Sequence, residues 1–248
     1  MSELDIVKEG RGLIDQATAC GIPLRLLGGA AIWVRAGDAA RAGLGRQYPD
    51  LDFAARKRDS RRLRILLEDA GYEPERVFNA MHGANRLLYH APQGHQIDIF
   101  LDSFVMCHRL DLCDRLEAEA WTIPAAELLL TKLQIVQINR KDIGDILMML
   151  WDHELCAEDG PSRVNAARIE TLCGADWGLF TTITDNLAKT RAMVGDLLPD
   201  RDCAAAVVNR IESLERGLQA APKTLAWKLR STIGRRQRWY EMPEEVVR

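Results

Sequence analysis

Leu24-Arg25-Leu26-Leu27 runs directly into Gly28-Gly29-Ala30-Ala31, so a short apolar segment meets a glycine pair and then a helix-forming stretch. Such a chain reads as a buried strand that turns sharply into a helix, because glycine accepts backbone angles closed to other residues. Some twenty residues later, Tyr48-Pro49-Asp50-Leu51-Asp52-Phe53 sets two carboxylates one residue apart in an apolar strand. Alternate strand residues point the same way, so Asp50 and Asp52 share one face while Leu51 and Phe53 take the other. Two acids side by side repel unless a cation lies between them, and Mg²⁺ or Mn²⁺ prefers such hard oxygen donors. A backbone able to approach phosphates, next to a carboxylate pair able to hold metal, points to phosphoryl or nucleotidyl transfer.

The rest of the chain narrows the setting. Its 248 residues are 47% hydrophobic and 28% charged, the balance of an ordinary globular protein with ample material for a core. No stretch has the run of apolar residues that a membrane span needs, and the first residues lack the basic-then-apolar pattern of a secretory signal. Cys20, Cys107, Cys113, Cys156, Cys173 and Cys203 are dispersed and form no CxxC pair, which is the pattern of reduced thiols in a cytoplasmic protein. The net charge of −3 conceals two basic clusters, Arg56 to Arg64 and Lys223 to Arg238. Clusters of this kind can attract phosphate or RNA, although a solvated helix face is the simpler reading of each alone.

Helical spacing covers Ser2 to Cys20, with Gly21 as a left-handed cap. Strands are expected at Leu24–Leu27 and Leu51–Ala54, followed by a helix from an Asp59 cap to Ala70. Extended pieces are expected near Arg76–Phe78, Asn85–Tyr89 and Gln96–Leu101, with Pro92-Gln93-Gly94 turning between the last two. Short edge strands could follow at Asp111–Leu116 and Trp121–Ile123. After Pro124 the texture becomes helical, over Glu127–Asn139, Lys141–Glu154, Ser162–Cys173, Ala175–Leu197, Asp200–Gln219 and Pro222–Arg235. Breaks are expected at Asp159-Gly160-Pro161 and Pro199-Asp200. The reading is an α+β fold: a mixed sheet flanked by helices over residues 1–123, then a helical region over 124–248.

A third acid lies in Gln96-Ile97-Asp98-Ile99-Phe100-Leu101-Asp102, where the apolar face of Ile97, Ile99 and Leu101 turns Asp98 to the opposite side. If this strand neighbours the Asp50–Asp52 strand, three acids converge. They could then position two metal ions, with Asp98 placed to receive a hydroxyl proton. Asp102 is the weaker candidate on that face.

The order of these pieces resembles the nucleotidyltransferase superfamily with the polymerase-beta-like fold. The likeness is nearest to the abortive-infection toxin type and its uncharacterised bacterial relatives. In that group a Gly-Gly turn precedes an arginine and an Asp pair, matched here by Gly28, Gly29, Arg46, Asp50 and Asp52. A later helix carries a lysine, then arginine and Lys-Asp-x-x-Asp, matched by Lys132, Arg140, Lys141, Asp142 and Asp145. The resemblance spans residues 24 to 150. It implies that Gly28 and Gly29 meet the triphosphate of an NTP, that Asp50, Asp52 and Asp98 hold Mg²⁺ or Mn²⁺, that Asp98 serves as base, and that Lys132 reaches the triphosphate. It also implies transfer of a nucleoside monophosphate to a hydroxyl of tRNA, protein or a small molecule, and an antitoxin-like partner in a toxin–antitoxin pair. The alternative is a non-catalytic nucleotide- or partner-binding module that keeps the fold. Two departures motivate it: Ala30 replaces a phosphate-gripping serine, and Tyr48 stands where a small hydroxyl residue is usual.

Simpler readings compete at several positions. Lys132, between Leu130 and Leu133, could be a snorkelling surface lysine, and the Lys141–Asp145 segment an acid-rich first helical turn. His82, His90, His95, Cys107, His108 and Cys113 lack zinc-finger spacing, and His90 and His95 are expected on the rim of the turn before Asp98. Trp33, Trp151 and Trp177 read as core, and Trp227 and Trp239 as packing residues rather than base-stacking platforms.

Overall fold

The computed structural model describes residues 3–198 and 200–242; Ser2 and Pro199, assigned above to a helix and a break, lie outside the described residues. The fold is α+β, a mixed sheet flanked by helices followed by a helical C-terminal region. The chain divides into two compact units. One comprises residues up to 34, 46–104 and 110–124; the other comprises 35–45, 105–109 and everything from 125.

In the first unit, α1 (Glu3–Ala19) ends just before Gly21, whose φ of 67° is the expected left-handed cap. β1 (Arg25–Leu27) passes into α2 (Gly28–Arg35), and α3 (Asp38–Leu44) belongs to the second unit. Then come β2 (Leu51–Ala55), α4 (Ser60–Asp69), β3 (Glu73–Pro74), α5 (Arg76–His82), β4 (Arg86–His90) and β5 (Gln96–Leu101). The sheet order is β1-β2-β5-β4-β3, with β2 parallel to β5 and the other neighbours antiparallel.

One sheet face buries Leu51, Phe53, Ile97, Ile99, Leu87 and Tyr89. α1 lies against it, since Gly10 packs on Leu26 and Leu51. Side chains of alternate parity, Asp52, Asp98, Leu88, Arg86 and Phe100, share the opposite face. On this second face Leu88, Asp98 and Phe100 are buried, while Asp52 and Arg86 are partly exposed.

The segment expected as extended at Arg76–Phe78 is helix α5 instead. Val77 and Phe78 favour a strand in isolation, but tertiary contacts override them. The Glu75 carboxylate caps the helix by accepting from the Val77 amide at 3.3 Å. Asn79 locks it to β4, donating to the Leu88 carbonyl and accepting from the Leu88 amide. Asp59 precedes α4 as expected but makes no side-chain cap; it is buried and pairs with Arg58 and Arg62. Of the expected edge strands, Asp111–Leu116 is strand only at Asp111, the end of β7 (Arg109–Asp111), and forms a 3-10 turn at Cys113–Arg115, while Trp121–Ile123 gives a single bridge from Thr122 to Leu26; β6 (Ser103–Val105) was not expected.

The second unit contains α6 (Ala125–Leu133), α7 (Arg140–Asp152), β8 (Glu154–Cys156), β9 (Arg163–Asn165), α8 (Ala166–Ala175), α9 (Trp177–Leu197), α10 (Arg201–Ala220) and α11 (Leu225–Ile233). Asn139, Asn165, Asp176, Asp200 and Thr224 cap the N-termini of α7 to α11 in turn, each side chain accepting from an early helical amide. The parallel β8–β9 ladder was not expected, because three-residue strands carry too little alternation to register against a helical background. No described helix is long and apolar enough to cross a membrane, and all six cysteines are free thiols.

Candidate functional site

The parallel β2–β5 pairing sets Asp52 directly opposite Asp98. Neighbouring strands lie about 4.8 Å apart, so these two carboxylates rise from adjacent positions on one face. Asp50 sits in the bend before β2, which starts at Leu51, after the proline and the first acid. Asp50 and Asp52 are partly exposed, whereas Asp98 is 4% exposed.

The glycine turn lies at the same end of the sheet, because Leu27 is the register partner of Asp52. Gly28 has a φ of 69°, and a methyl group there would fall 2.0 Å from Asp52 Oδ2. Both the backbone angle and the carboxylate therefore require glycine. A methyl on Gly29 would fall 2.6 Å from Arg46 Nη2 and 2.7 Å from the Tyr48 ring. The Arg46 guanidinium stacks 4.4 Å from the Tyr48 centroid. Gly28, Gly29, Arg46, Asp52 and Asp98, separate in the chain, are thus brought together, whereas Asp50 lies in the bend ahead of the strand, so the expected alternation with Asp52 on one strand face does not apply to it. The buried Tyr48 ring fills the space over Gly29.

A residue that sequence reading missed dominates the third acid. Arg86 on β4 donates from Nε to Asp98 Oδ1 at 2.7 Å and from Nη2 to Oδ2, a two-pronged pairing. Its guanidinium also packs on Phe100, at 4.8 Å, and Phe78, at 5.5 Å. The signal was available, since a β4–β5 hairpin closed at Pro92–Gly94 sets Leu88 opposite Asp98 and Arg86 diagonally beside it.

The donor chemistry fits one hard cation better than two. Mg²⁺ is commonly held by one or two carboxylates together with substrate phosphates, and the partly exposed Asp50 and Asp52 are the acids that would supply them. Asp98 has both oxygens engaged by Arg86, and no group of three or more His, Cys, Asp or Glu among the described residues is arranged to hold a metal. Asp102 leaves the shared face altogether: β5 ends at Leu101, and Asp102, at φ 61°, accepts from the Lys57 amide.

One of the two rim histidines departs from expectation. His95 is buried, with Nε2 3.1 Å from Glu9, whose other oxygen accepts from the Tyr72 hydroxyl. Burial first, then Glu9, pushes the Tyr72 phenol well above its ordinary pKa. His90 keeps a rim position near Glu75, at 3.7 Å. In the Arg56–Arg64 cluster, Arg56 pairs with Glu117 and lowers its carboxyl pKa, Arg62 reaches the Cys20 carbonyl, and Arg64 reaches the Gly83 carbonyl.

Within the helical unit, Lys132 is not a snorkelling surface residue. Its ammonium lies 3.1 Å from Asp142 and 2.9 Å from Asp145, and its side chain is 13% exposed. Trp33, Trp151 and Trp177 are only half-buried. Trp227 packs edge-on against Phe180, and Trp239 packs on Trp177 while donating to Thr182. Much of the C-terminal basic cluster is engaged internally: Lys223 caps the end of α10, Arg230 bonds the Gly234 and Gln237 carbonyls, and Arg235 pairs with Asp185. Comparison with protein-family models and with curated proteins matches none to this chain.

Proposed function

We propose that the sheet unit transfers a nucleoside monophosphate from an NTP to an acceptor hydroxyl, with release of pyrophosphate. The observation that carries this reading is the Asp52–Asp98 register pair lying beside a glycine turn whose Gly28 is pressed against the Asp52 carboxylate. The turn opens α2, and the first amides and positive end of a helix are groups that would suit phosphate oxygens. Arg46, beside Gly29, supplies a guanidinium for phosphate oxygens. Asp50 and Asp52 would hold Mg²⁺ or Mn²⁺, which when bound neutralises charge on the departing pyrophosphate. In the reaction the acceptor oxygen forms a bond to the α-phosphorus, the bond to the bridging oxygen breaks, and the hydroxyl proton leaves to solvent. Lys132 has no part in this reading, because Asp142 and Asp145 already hold its ammonium. The acceptor could be RNA, a protein or a small molecule, and an antitoxin-like partner belongs to the same proposal.

A second reading, a binding module without catalysis, is favoured by Tyr48 and Arg46 covering Gly29. Incubation with α-labelled NTPs, Mg²⁺ or Mn²⁺ and cellular RNA, protein or small-molecule acceptors separates the two. Label transfer and pyrophosphate release that vanish in Asp50→Ala/Asp52→Ala support the enzyme. Transfer that survives the double substitution removes the assigned site. NTP binding with neither metal dependence nor pyrophosphate release supports the module.

A further inference from the structure

We propose that Arg86 is a built-in cation of this site: its guanidinium takes the place of a second divalent ion at Asp98, so the site accepts one ion, on Asp50 and Asp52. The inference rests on the nucleotidyl-transfer reading above and fixes its metal stoichiometry. A carboxylate that is 4% exposed needs compensating positive charge, and Arg86 provides it in the geometry that suits a carboxylate best. The arginine is also held in place from its other sides. β4 places it on the same sheet face as Asp98, one alternation from the residue paired with that acid, and Phe78 and Phe100 both contact its guanidinium. Its side chain is 14% exposed, so the conformational cost of ordering it is met on folding, not on ligand binding.

A divalent ion at Asp98 would have to displace both hydrogen bonds and then sit beside a buried guanidinium. The repulsion between a dication and a fixed positive charge at contact range opposes this strongly where water is scarce. Asp50 and Asp52 lack that burial and keep access to solvent. Asp98 is accordingly a positioning residue for Arg86. The guanidinium supplies fixed positive charge at the edge of the phosphate region without the need to capture a second ion from solution.

The test counts Mn²⁺ bound to the full chain by electron paramagnetic resonance, titrated to millimolar concentration without nucleotide. The wild-type protein is expected to bind one ion, lost in Asp52→Asn. Arg86→Met, which preserves an apolar stem between the two phenylalanines, is expected to bind two, while Arg86→Lys stays at one. Two ions in the wild type, or one in a folded Arg86→Met, overturns the proposal. If Arg86→Met fails to fold, the double variant Arg86→Met/Asp98→Asn decides, because it buries no unpaired charge. One ion at an affinity within threefold of wild type supports the proposal; any larger loss makes Asp98 a ligand and overturns it. No Mn²⁺ bound by any of these proteins removes the nucleotidyl-transfer reading, and the inference with it.

Discussion

Arg86 in the sheet unit and Lys132 in the helical unit are cations of almost equal exposure, 14% and 13%, yet they sit in different kinds of place. Arg86 faces one buried acid through a planar fork, on a sheet face that also carries the partly exposed Asp52. Lys132 is a point charge shared by Asp142 and Asp145, and Asp145 is 1% exposed. The contrast separates two uses of a buried ion pair. In the sheet unit a partly exposed acid and a glycine turn adjoin the pair, and the proposed function assigns that place to a ligand. Where the acids close on the lysine, the cluster holds helices together and specifies how they pack.

The sharpest way to break this contrast is to remove a carboxylate on the open side. Asp52→Asn should reduce label transfer by about a hundredfold or more while leaving the melting temperature nearly unchanged, as followed by pyrophosphate release and thermal melting. Lys132→Met should do the reverse. It strands two acids in the helical unit and should cost about 3–5 kcal/mol in urea denaturation. Adding Asp145→Asn to it should recover part of that loss, because less unpaired charge stays buried. If Lys132→Met instead abolished transfer in a protein of unchanged stability, the helical cluster would belong to the chemistry.

Gly28→Ala tests the turn itself. The left-handed angle and the contact with Asp52 together should destabilise the chain by about 2–3 kcal/mol, read from the urea midpoint. The smallest effect concerns pH. Burial, chiefly, and then the nearby Arg35, hold the His153 imidazole down to about 4, while its Nδ1 lies 3.0 Å from the Met149 carbonyl. The folded state therefore binds fewer protons than the unfolded state between about 6.5 and 4. Stability contributed by neutral His153 is complete above the upper value and lost as the pH falls through that window. Unfolding free energy should drop by on the order of 2 kcal/mol across it, and His153→Gln should flatten that part of the profile.

Much of the sheet unit could be read locally. Gln96–Leu101 alternates cleanly enough to give a strand with its exact ends and the side that Asp98 occupies. The glycine pair announced the strand-to-helix turn, and Gly21 announced the end of α1. α5 could not be read this way. Its Val77 and Phe78 prefer extended backbone, and the decisive contact is an Asn79 side chain reaching β4. Lys132 was misread for a related reason: helical position says which residues neighbour it on its own helix, but not that Asp142 and Asp145 on the next helix close over it.

By itself, the sequence determined the α+β order of elements, the common side of Asp52 and Asp98 once their strands pair, and the glycines where backbone must turn. These depend on alternation, capping and backbone angles, which act over a few residues. Only the tertiary structure decided that Asp98 is answered by Arg86, that Tyr48 and Arg46 lie over Gly29, and that segments 35–45 and 105–109 join the helical unit. Those outcomes depend on strand register and on how desolvated charges find partners. Both are settled between residues far apart in the chain, where buried charge must be compensated by whatever the fold brings near.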